Sequence, residues 1–355
     1  MSILALFQNQ FLIVQTSLLG SMLSNLLLVM GMCFFFGGIN RIEQAFNVTV
    51  AQTASSLLFL AVASLIIPTT FEAWALNATD KTSSNQPLAP GVLELSRGTS
   101  VILLLIYCCY LFFQLKSHVD MYTKAGEKNK SRFTTEQKQK WKSRAGITKI
   151  KAVARRRESN TPANGLLSSN DTDSSDKGDQ FEEEENETPS LSLWVAIFTL
   201  AASTVLVAIN AEFLVDSINE VTCTGAISKT FVGLILLPIV GNAAEHATAV
   251  TVAIKDKMDL SIGVAVGSSM QIALLVLPLV VVIGWIAGKD GMTLYFDGFQ
   301  LAMLFVSILL VNYLIQDGKS HWLEGVLLMM LYIIIATAAW FYPADPAASD
   351  CPAGH

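Results

Sequence analysis

The chain has 355 residues, of which 52% are hydrophobic and 15% are charged, with a net charge of −6 and a mean hydropathy of +0.50. Soluble domains carry about 25% charged residues, so this composition excludes an ordinary soluble protein and indicates a polytopic membrane protein. The five cysteines show no CxxC spacing, and we therefore expect neither a disulfide framework nor a zinc site. The charges are concentrated in one segment, so the net charge does not predict nucleic-acid binding.

Apolar stretches of roughly 20 residues are long enough to cross a bilayer, and their number predicts an all-α protein with about eight transmembrane helices. The start of the chain lacks the pattern of a cleavable signal peptide, so we expect the first span to direct membrane insertion. The predicted spans cover residues 11–37, 53–76, 97–117, 193–217, 231–254, 260–287, 298–316 and 322–341.

A long polar linker, residues 118–190, separates the first three spans from the last five. Its first part is basic: 14 of the 23 Lys and Arg residues lie between Lys116 and Arg157. Such a composition favours disorder, and Lys and Arg near a span are typical of cytoplasmic loops. We therefore predict a cytosolic linker, with both chain ends and the Asn-X-Thr glycosylation acceptor at Asn77 on the opposite side of the membrane.

The linker ends in an acidic run. This run is either a solvated stretch or a weak contact for Ca²⁺ or for basic residues that regulates the protein, and the sequence leaves both readings open. Its central residues are Glu182, Glu183, Glu184 and Glu185.

Two segments of the chain resemble each other. GSMLSNLLLV at 20–29 and GSSMQIALLV at 267–276 are 247 residues apart and agree at five of ten positions. Weak similarity between halves is typical of transporters built from inverted repeats. At the same offset, Glu245 would correspond to a position before Met1, so its carboxylate has no counterpart in the first half.

The fifth predicted span carries a carboxylate at depth, Glu245, with Asn242 three residues earlier on the same helix face. A charged residue near the bilayer centre costs at least about 2.5 kcal/mol, so this side chain must be protonated, paired or bound to a cation. Pro238 and Gly241 predict a helix break one turn before it. The alternative is a protonated Glu245 that only hydrogen-bonds a neighbouring helix.

Further polar residues, Ser268, Ser269 and Gln271, occupy the next span. Together with Glu245 and Asn242 they form an all-oxygen ligand set, which suits a hard cation such as Ca²⁺. His246 points about 100° away from its neighbour on a helix, so we expect it to have a structural or proton-handling role.

Two acids in the fourth span, Glu212 and Asp216, share one helix face. They either attract cations at a vestibule or simply face water at the interface. The sequence contains no GxSxG, HExxH or P-loop motif, so we expect no enzyme and no primary pump, and transport would depend on an ion gradient.

The segment GNAAEH at 241–246, followed by AIKDKMDLSIGVAVGSSMQIALLVLP at 253–278, resembles the second signature repeat of the cation/proton exchanger family, especially its fungal vacuolar calcium/proton antiporters. Segments 17–38 and 95–118 resemble the first half of that family, and 210–218 resembles the opening helix of its second half. The resemblance implies an inverted-repeat antiporter fold that exchanges cytosolic Ca²⁺ for lumenal H⁺ across the vacuolar membrane.

The same resemblance implies roles for individual residues. Glu245 would be the central carboxylate that binds the cation and the proton, with Glu212 and Asp216 along the lumenal pathway. Ca²⁺ and H⁺ would be the substrates, with no cofactor and no nucleic-acid partner, in a chain surrounded by lipid, and a homo-oligomer is compatible with this reading. The other residues of the implied site are Asn242, Ser268, Ser269 and Gln271 from the second repeat, and Ser21, Ser24 and Asn25 from the first.

The chain departs from the family pattern at its start, because the resemblance implies about eleven spans and a GNAVE-like motif in the first repeat. We therefore expect an N-terminally truncated chain. Its predicted parts are a remnant of the first repeat at 1–117, the linker at 118–190, a second repeat of five spans at 191–342 and a lumenal tail at 343–355. Two alternatives to the antiporter stay open: a non-transporting or regulatory product of such a gene, and a sodium- or potassium-coupled calcium exchanger.

Overall fold

The computed structural model describes residues 2–78, 90–118, 192–223 and 227–342. The chain divides into two compact units, one of residues 1–132 with 209–355 and one of residues 133–208. Within the smaller unit, the described residues are the first part of one helix. The larger unit contains the rest of the described structure.

The described residues form helices joined by short turns, as the apolar composition predicts. One antiparallel pair of two-residue strands, β1 (Gln44–Ala45) and β2 (Lys319–Ser320), joins two of the loops. The helices are α1 (Ser2–Phe7), α2 (Phe11–Gly38), α3 (Val48–Ala78), α4 (Pro90–Phe112, extended by a π-helical turn at Phe113–Ser117), α5 (Leu193–Cys223), α6 (Lys229–Gly241), α7 (Ala243–Ile254), α8 (Met258–Ile286), α9 (Gly298–Leu314) and α10 (Trp322–Trp340).

Five of these helices, α2, α3, α4, α8 and α10, are long and apolar enough to cross a membrane. Helices α6 and α7 meet the same criteria only as one span that bends by 54°. Residues 194–210 of α5 and the whole of α9 are shorter apolar helices. The all-α membrane fold is therefore confirmed, whereas the count of eight spans stays a prediction.

The two repeats share a turn that precedes the similar segments at 20–29 and 267–276. Helix α1 ends at Phe7 and α7 ends at Ile254, which are 247 residues apart. Two residues later, Asn9 and Asp256 have positive φ angles of 60° and 66°, and they are the non-glycine residues with positive φ in the described chain. Left-handed backbone is uncommon outside glycine, so its recurrence at equivalent positions marks a true structural repeat.

The backbone hydrogen bonds of the two turns correspond as well. The amide of Gln10 donates to the carbonyl of Ala5 over 2.9 Å, and the amide of Lys257 donates to the carbonyl of Val252 over 3.2 Å. Both members of the second pair lie 247 residues after those of the first. The repeat predicted from GSMLSNLLLV and GSSMQIALLV therefore extends upstream through the preceding turn and helix.

The long helices of the two repeats, α2 and α8, each contain a π-helical turn at the same place, Ser24–Val29 in the first and Ile272–Val276 in the second. The two helices contact each other at equivalent positions. Ser269 Oγ lies 3.4 Å from the carbonyl oxygen of Met22, which is its counterpart 247 residues earlier. Helix α2 is the central helix, because 78% of its most apolar stretch is buried, compared with 17% of the corresponding stretch of α4.

Glycines allow close helix packing around α2. A Cβ on Gly20 would lie 2.2 Å from the Leu234 carbonyl oxygen and 2.6 Å from the Pro238 ring. A Cβ on Gly325 of α10 would lie 2.5 Å from the carbonyl oxygen of Gly31. Small residues at helix contacts are typical of membrane proteins, where close backbone approach supplies much of the packing energy.

Loops gather at the two ends of the unit. At one end, which we call the sheet end, β1 and β2 join the loops at 39–47 and 315–321, and Gln44 of β1 donates a hydrogen bond to Asp256 in the loop at 255–257. At the opposite end, Asn9 lies against Lys289, and Arg97 pairs with Asp290. The predicted spans place these two groups of residues on opposite sides of the membrane, so the grouping agrees with them. The assignment of the sheet end to the cytosol stays a prediction.

Candidate ion-binding site

The fifth predicted span breaks where the sequence predicts it. Helix α6 ends at Gly241, α7 begins at Ala243, and Asn242 lies at the bend with φ −96° and ψ 11°. Glu245 occupies the first turn of α7. A carboxylate at this position faces the positive end of the helix dipole, so the break creates a place where a negative charge is favoured.

An amide cluster joins the two repeats at the bend. The Asn242 Nδ2 donates to Asn25 Oδ1 over 3.1 Å and to the backbone oxygen of Ser21 over 3.3 Å. Asn25 Nδ2 donates in turn to Ser268 Oγ over 2.8 Å, and the Asn25 side chain lies beside the Glu245 carboxyl. Four predicted site residues and Glu245 therefore meet in one cluster.

One carboxylate oxygen in this cluster is unsatisfied. Glu245 Oε2 is buried and has no hydrogen-bond partner among the described residues. A buried polar atom left unpaired costs about 1–3 kcal/mol, and more when it is charged. The atom is therefore suited to take up a proton, a water molecule or a cation from outside the protein.

His246 lies next to the cluster and is held by the first repeat. Its Nε2 is 3.2 Å from Ser24 Oγ. Ser24 and Asn25 begin the π-helical turn of α2, and both are fully buried. Because a π-helical turn shifts the helix register, two consecutive residues face the site, which no reading of an ordinary α-helical period would predict.

The remaining predicted ligands lie differently. Ser269 donates to the backbone oxygen of Ala265, in its own helix, over 3.0 Å and also reaches Met22, so it supports the crossing of α2 and α8. The side chain of Gln271 is exposed, and within the described ranges no hydrogen bond links it to the amide cluster. Its role as a ligand stays a prediction.

Other predictions fall outside the described structure. Glu212 and Asp216 belong to α5, but the surroundings of their side chains are not among the described features. The acidic run at 182–185, nearly all of the linker and the 343–355 tail also lie outside the described residues.

Sequence reasoning missed one residue near the site, Tyr332 of α10. Its side chain is 3% exposed and lies beside Ser24. Its hydroxyl is buried with no hydrogen-bond partner in the described part of the chain. A tyrosine within an apolar span was the available signal, because its hydroxyl group is polar and favours a place beside other polar groups.

The internal repeat, the bent span and the buried carboxylate define a class of protein: a helical membrane protein of the inverted-repeat type, with a polar site between its repeats. The family model described as "Sodium/calcium exchanger protein" matches residues 1–116 and 195–341. The chain therefore belongs to the sodium/calcium exchanger protein family.

The similar proteins include fungal and plant ones. The chain is 43% identical to a "Vacuolar calcium ion transporter" of Cryptococcus neoformans var. grubii over 98% of its own length and 62% of the relative's length. It is 42% identical to a protein of the same description from Schizosaccharomyces pombe, covering 96% of the chain and 68% of that relative. A "Vacuolar cation/proton exchanger 2" of Arabidopsis thaliana is 37% identical over 97% of the chain and 66% of its own length.

Solved structures agree with the fold. The structure titled native YfkE has a TM-score of 0.66 and 29% identity, with 96% of this chain and 78% of that chain covered. A second structure of that protein, named there as a Ca²⁺/H⁺ antiporter, gives a TM-score of 0.65 at 29% identity, with 96% of this chain and 80% of that chain covered. An H⁺/Ca²⁺ exchanger at 12% identity and a TM-score of 0.51 supports the fold alone.

Proposed function

We propose that this chain takes part in the exchange of Ca²⁺ for H⁺ across the vacuolar membrane. The observation that carries the proposal is the buried, unpaired Glu245 Oε2 at a helix break, with amide and hydroxyl groups of both repeats around it. The names of the relatives support the same reading, since they describe vacuolar calcium transporters and a cation/proton exchanger. The chain spans only 62% of the Cryptococcus relative, so the activity of the whole protein is part of the proposal.

The proposed exchange follows from competition at one carboxylate. Ionised Glu245 attracts Ca²⁺, whereas protonated Glu245 is neutral and binds it poorly. A proton and a calcium ion therefore exclude each other at this residue, and each crossing in one direction requires the release of the other ion. Alternating access of the two repeats would then convert a proton gradient into calcium accumulation.

The amide cluster supplies neutral oxygens and orientation. Both hydrogen bonds of the Asn242 side chain use its Nδ2, which leaves Oδ1 as the atom able to bind a cation. Asn25 connects Asn242 to Ser268 and lies beside Glu245. A shift of either repeat would therefore change which oxygen atoms surround the cation. Alternating access requires such a change between the two states of the transporter.

The second candidate function is sodium-coupled calcium exchange. The observation in its favour is the family model itself, whose description names sodium. The oxygen ligands around Glu245 suit either coupling ion, so a transport measurement must decide between them.

Vesicles containing the purified protein test both candidates. With an acidic interior, we expect uptake of labelled Ca²⁺ that stops when an ionophore collapses the pH gradient. A sodium gradient of equal size without a pH gradient should drive no uptake. Uptake driven by sodium alone would establish the second candidate, and no uptake under either gradient would contradict both.

A second prediction concerns the sidedness of the linker. Protease added to sealed vacuoles should cut within residues 118–190, because Lys and Arg close to a span are typical of cytoplasmic loops. Asn77 should be protected, and it should carry any glycan attached to its Asn-X-Thr motif. Protection of the linker combined with accessible Asn77 would reverse the proposed orientation.

A further inference from the structure

The repeated turns at Asn9 and Asp256 each contact the other repeat. Asn9 belongs to the first repeat, and its Oδ1 accepts a hydrogen bond from Lys289, which follows the long helix of the second repeat. Asp256 belongs to the second repeat, and it contacts Arg41 and Gln44, which follow the long helix of the first. The two contacts are related by the repeat, and they lie at opposite ends of the unit.

The contact at the sheet end, which we call the sheet-end clamp, is charged and partly buried. Arg41 Nε lies 3.4 Å from Asp256 Oδ1, and Gln44 Nε2 donates to the same oxygen over 2.9 Å. Gln44 is fully buried and also donates to the carbonyl of Ala253, while Arg41 reaches the carbonyl of Ile254. The clamp therefore caps the last turn of α7 from the other repeat.

The contact at the other end, which we call the opposite-end clamp, is simpler. Lys289 Nζ donates to Asn9 Oδ1 over 2.8 Å at an exposed position. A neutral amide replaces the carboxylate found at the equivalent place in the sheet-end clamp. A charge–amide contact in water is weaker than an ion pair that also holds a buried amide.

Both clamps hold helices that carry the candidate site. Helix α7 begins next to the Asn242 bend, carries Glu245 in its first turn and ends just before Asp256. Helix α2 begins just after Asn9 and carries Asn25. Release of the sheet-end clamp would free the far end of α7, and release of the opposite-end clamp would free the start of α2.

We propose that the two clamps are paired gates that open in alternation, and that their unequal strength keeps the sheet end closed for more of the time. This inference rests on the proposed exchange function, because simultaneous opening of both ends would let ions leak and abolish coupling. Each clamp joins an element of one repeat to an element of the other. Because the clamps lie at opposite ends of the unit, a rocking movement that separates the repeats at one end brings them together at the other. Opening of one clamp therefore favours closure of the other.

The equivalent positions supply the test, since each clamp can be given the residue of its counterpart. We would measure amide hydrogen exchange of the full chain in lipid vesicles, comparing peptides that cover residues 4–14 and 251–261. Asp256→Asn should raise exchange at 255–257 by about threefold, the size expected for loss of one partly exposed ion pair, and should lower exchange at 8–10. Asn9→Asp, which adds an ion pair with Lys289, should also raise exchange at 255–257 and lower exchange at 8–10. The double variant should show larger changes at both turns.

A purely structural clamp gives a different result. In that case Asp256→Asn would raise exchange only at its own turn, and Asn9→Asp would lower it only at 8–10. Purely local changes, or no change at either turn, would overturn the proposal. Glu43→Gln removes a carboxylate from an exposed pair with Lys319 outside both clamps, and this control should leave the two turns unaltered.

Two further points keep the test decisive. If Asp256→Asn fails to fold, Arg41→Gln removes the same ion pair from the other side and must give the same reciprocal pattern. Amide exchange requires no transport, so it is read separately from labelled Ca²⁺ uptake by the same vesicles. Reciprocal changes in amide exchange without calcium uptake would support the paired gates and contradict the proposed function. Calcium uptake with only local changes in amide exchange would support the proposed function and contradict the paired gates.

Discussion

Replacement of Glu245 by glutamine should reduce calcium uptake driven by a pH gradient by about 100-fold or more, which corresponds to about 2.7 kcal/mol. Glutamine keeps the size of the side chain, but it neither releases a proton nor offers a negative charge to Ca²⁺. The surrounding oxygens of Asn25, Asn242 and Ser268 are neutral, so they cannot replace that charge. Uptake of labelled Ca²⁺ into vesicles measures the effect.

The matched control for this variant is Glu43→Gln, which makes the same chemical change at the sheet end. Glu43 pairs with Lys319, and the two side chains are 50% and 53% exposed. Exposed ion pairs contribute about 0–1 kcal/mol, so calcium uptake should stay close to that of the unaltered chain. Normal uptake by a well-expressed Glu245→Gln protein would remove Glu245 from the centre of the proposal.

Replacement of Gly20 by alanine should destabilise the helix packing by about 3 kcal/mol, at the upper end of the cost of overpacking. The added Cβ would lie 2.2 Å from the Leu234 carbonyl oxygen, and it would also meet Pro238. A backbone oxygen cannot rotate away as a side chain does, so α2 must move relative to α6. Heating of the detergent-solubilised protein, followed by size-exclusion chromatography, should show a clearly lower midpoint of aggregation.

Gly98→Ala provides the control for that prediction. Gly98 lies within α4, and an added Cβ would meet nothing within 4 Å. Alanine is favoured over glycine in a helix by about 1 kcal/mol, so this variant should be as stable as the original chain or slightly more so. Equal stability of the Gly20 and Gly98 variants would show that the close approach of α2 and α6 contributes little.

The sequence by itself determined the membrane class, the repeat and the position of the helix break. Each of these depends on local or periodic properties: the length of apolar stretches, a recurrent Gly-Ser pair, and the backbone limits of Pro238 and Gly241. It also selected Glu245, because a carboxylate deep in an apolar span is costly unless it has a function. These inferences need no knowledge of how distant segments pack.

Apart from the set of residues that the family resemblance implied, only the tertiary structure decided which polar residues meet. Ser24 and Asn25 both face the site because the π-helical turn of α2 shifts the register there, whereas Gln271 at the equivalent place in α8 is exposed. Tyr332 joins the surroundings of Ser24 from a helix some 300 residues away in sequence, and Asp256 meets Arg41 across the two repeats. Such contacts depend on the relative rotation and the close approach of helices, which hydropathy does not encode. Lipid and protein interiors are similarly apolar, so only the packing of small residues and polar groups distinguishes one helix face from another.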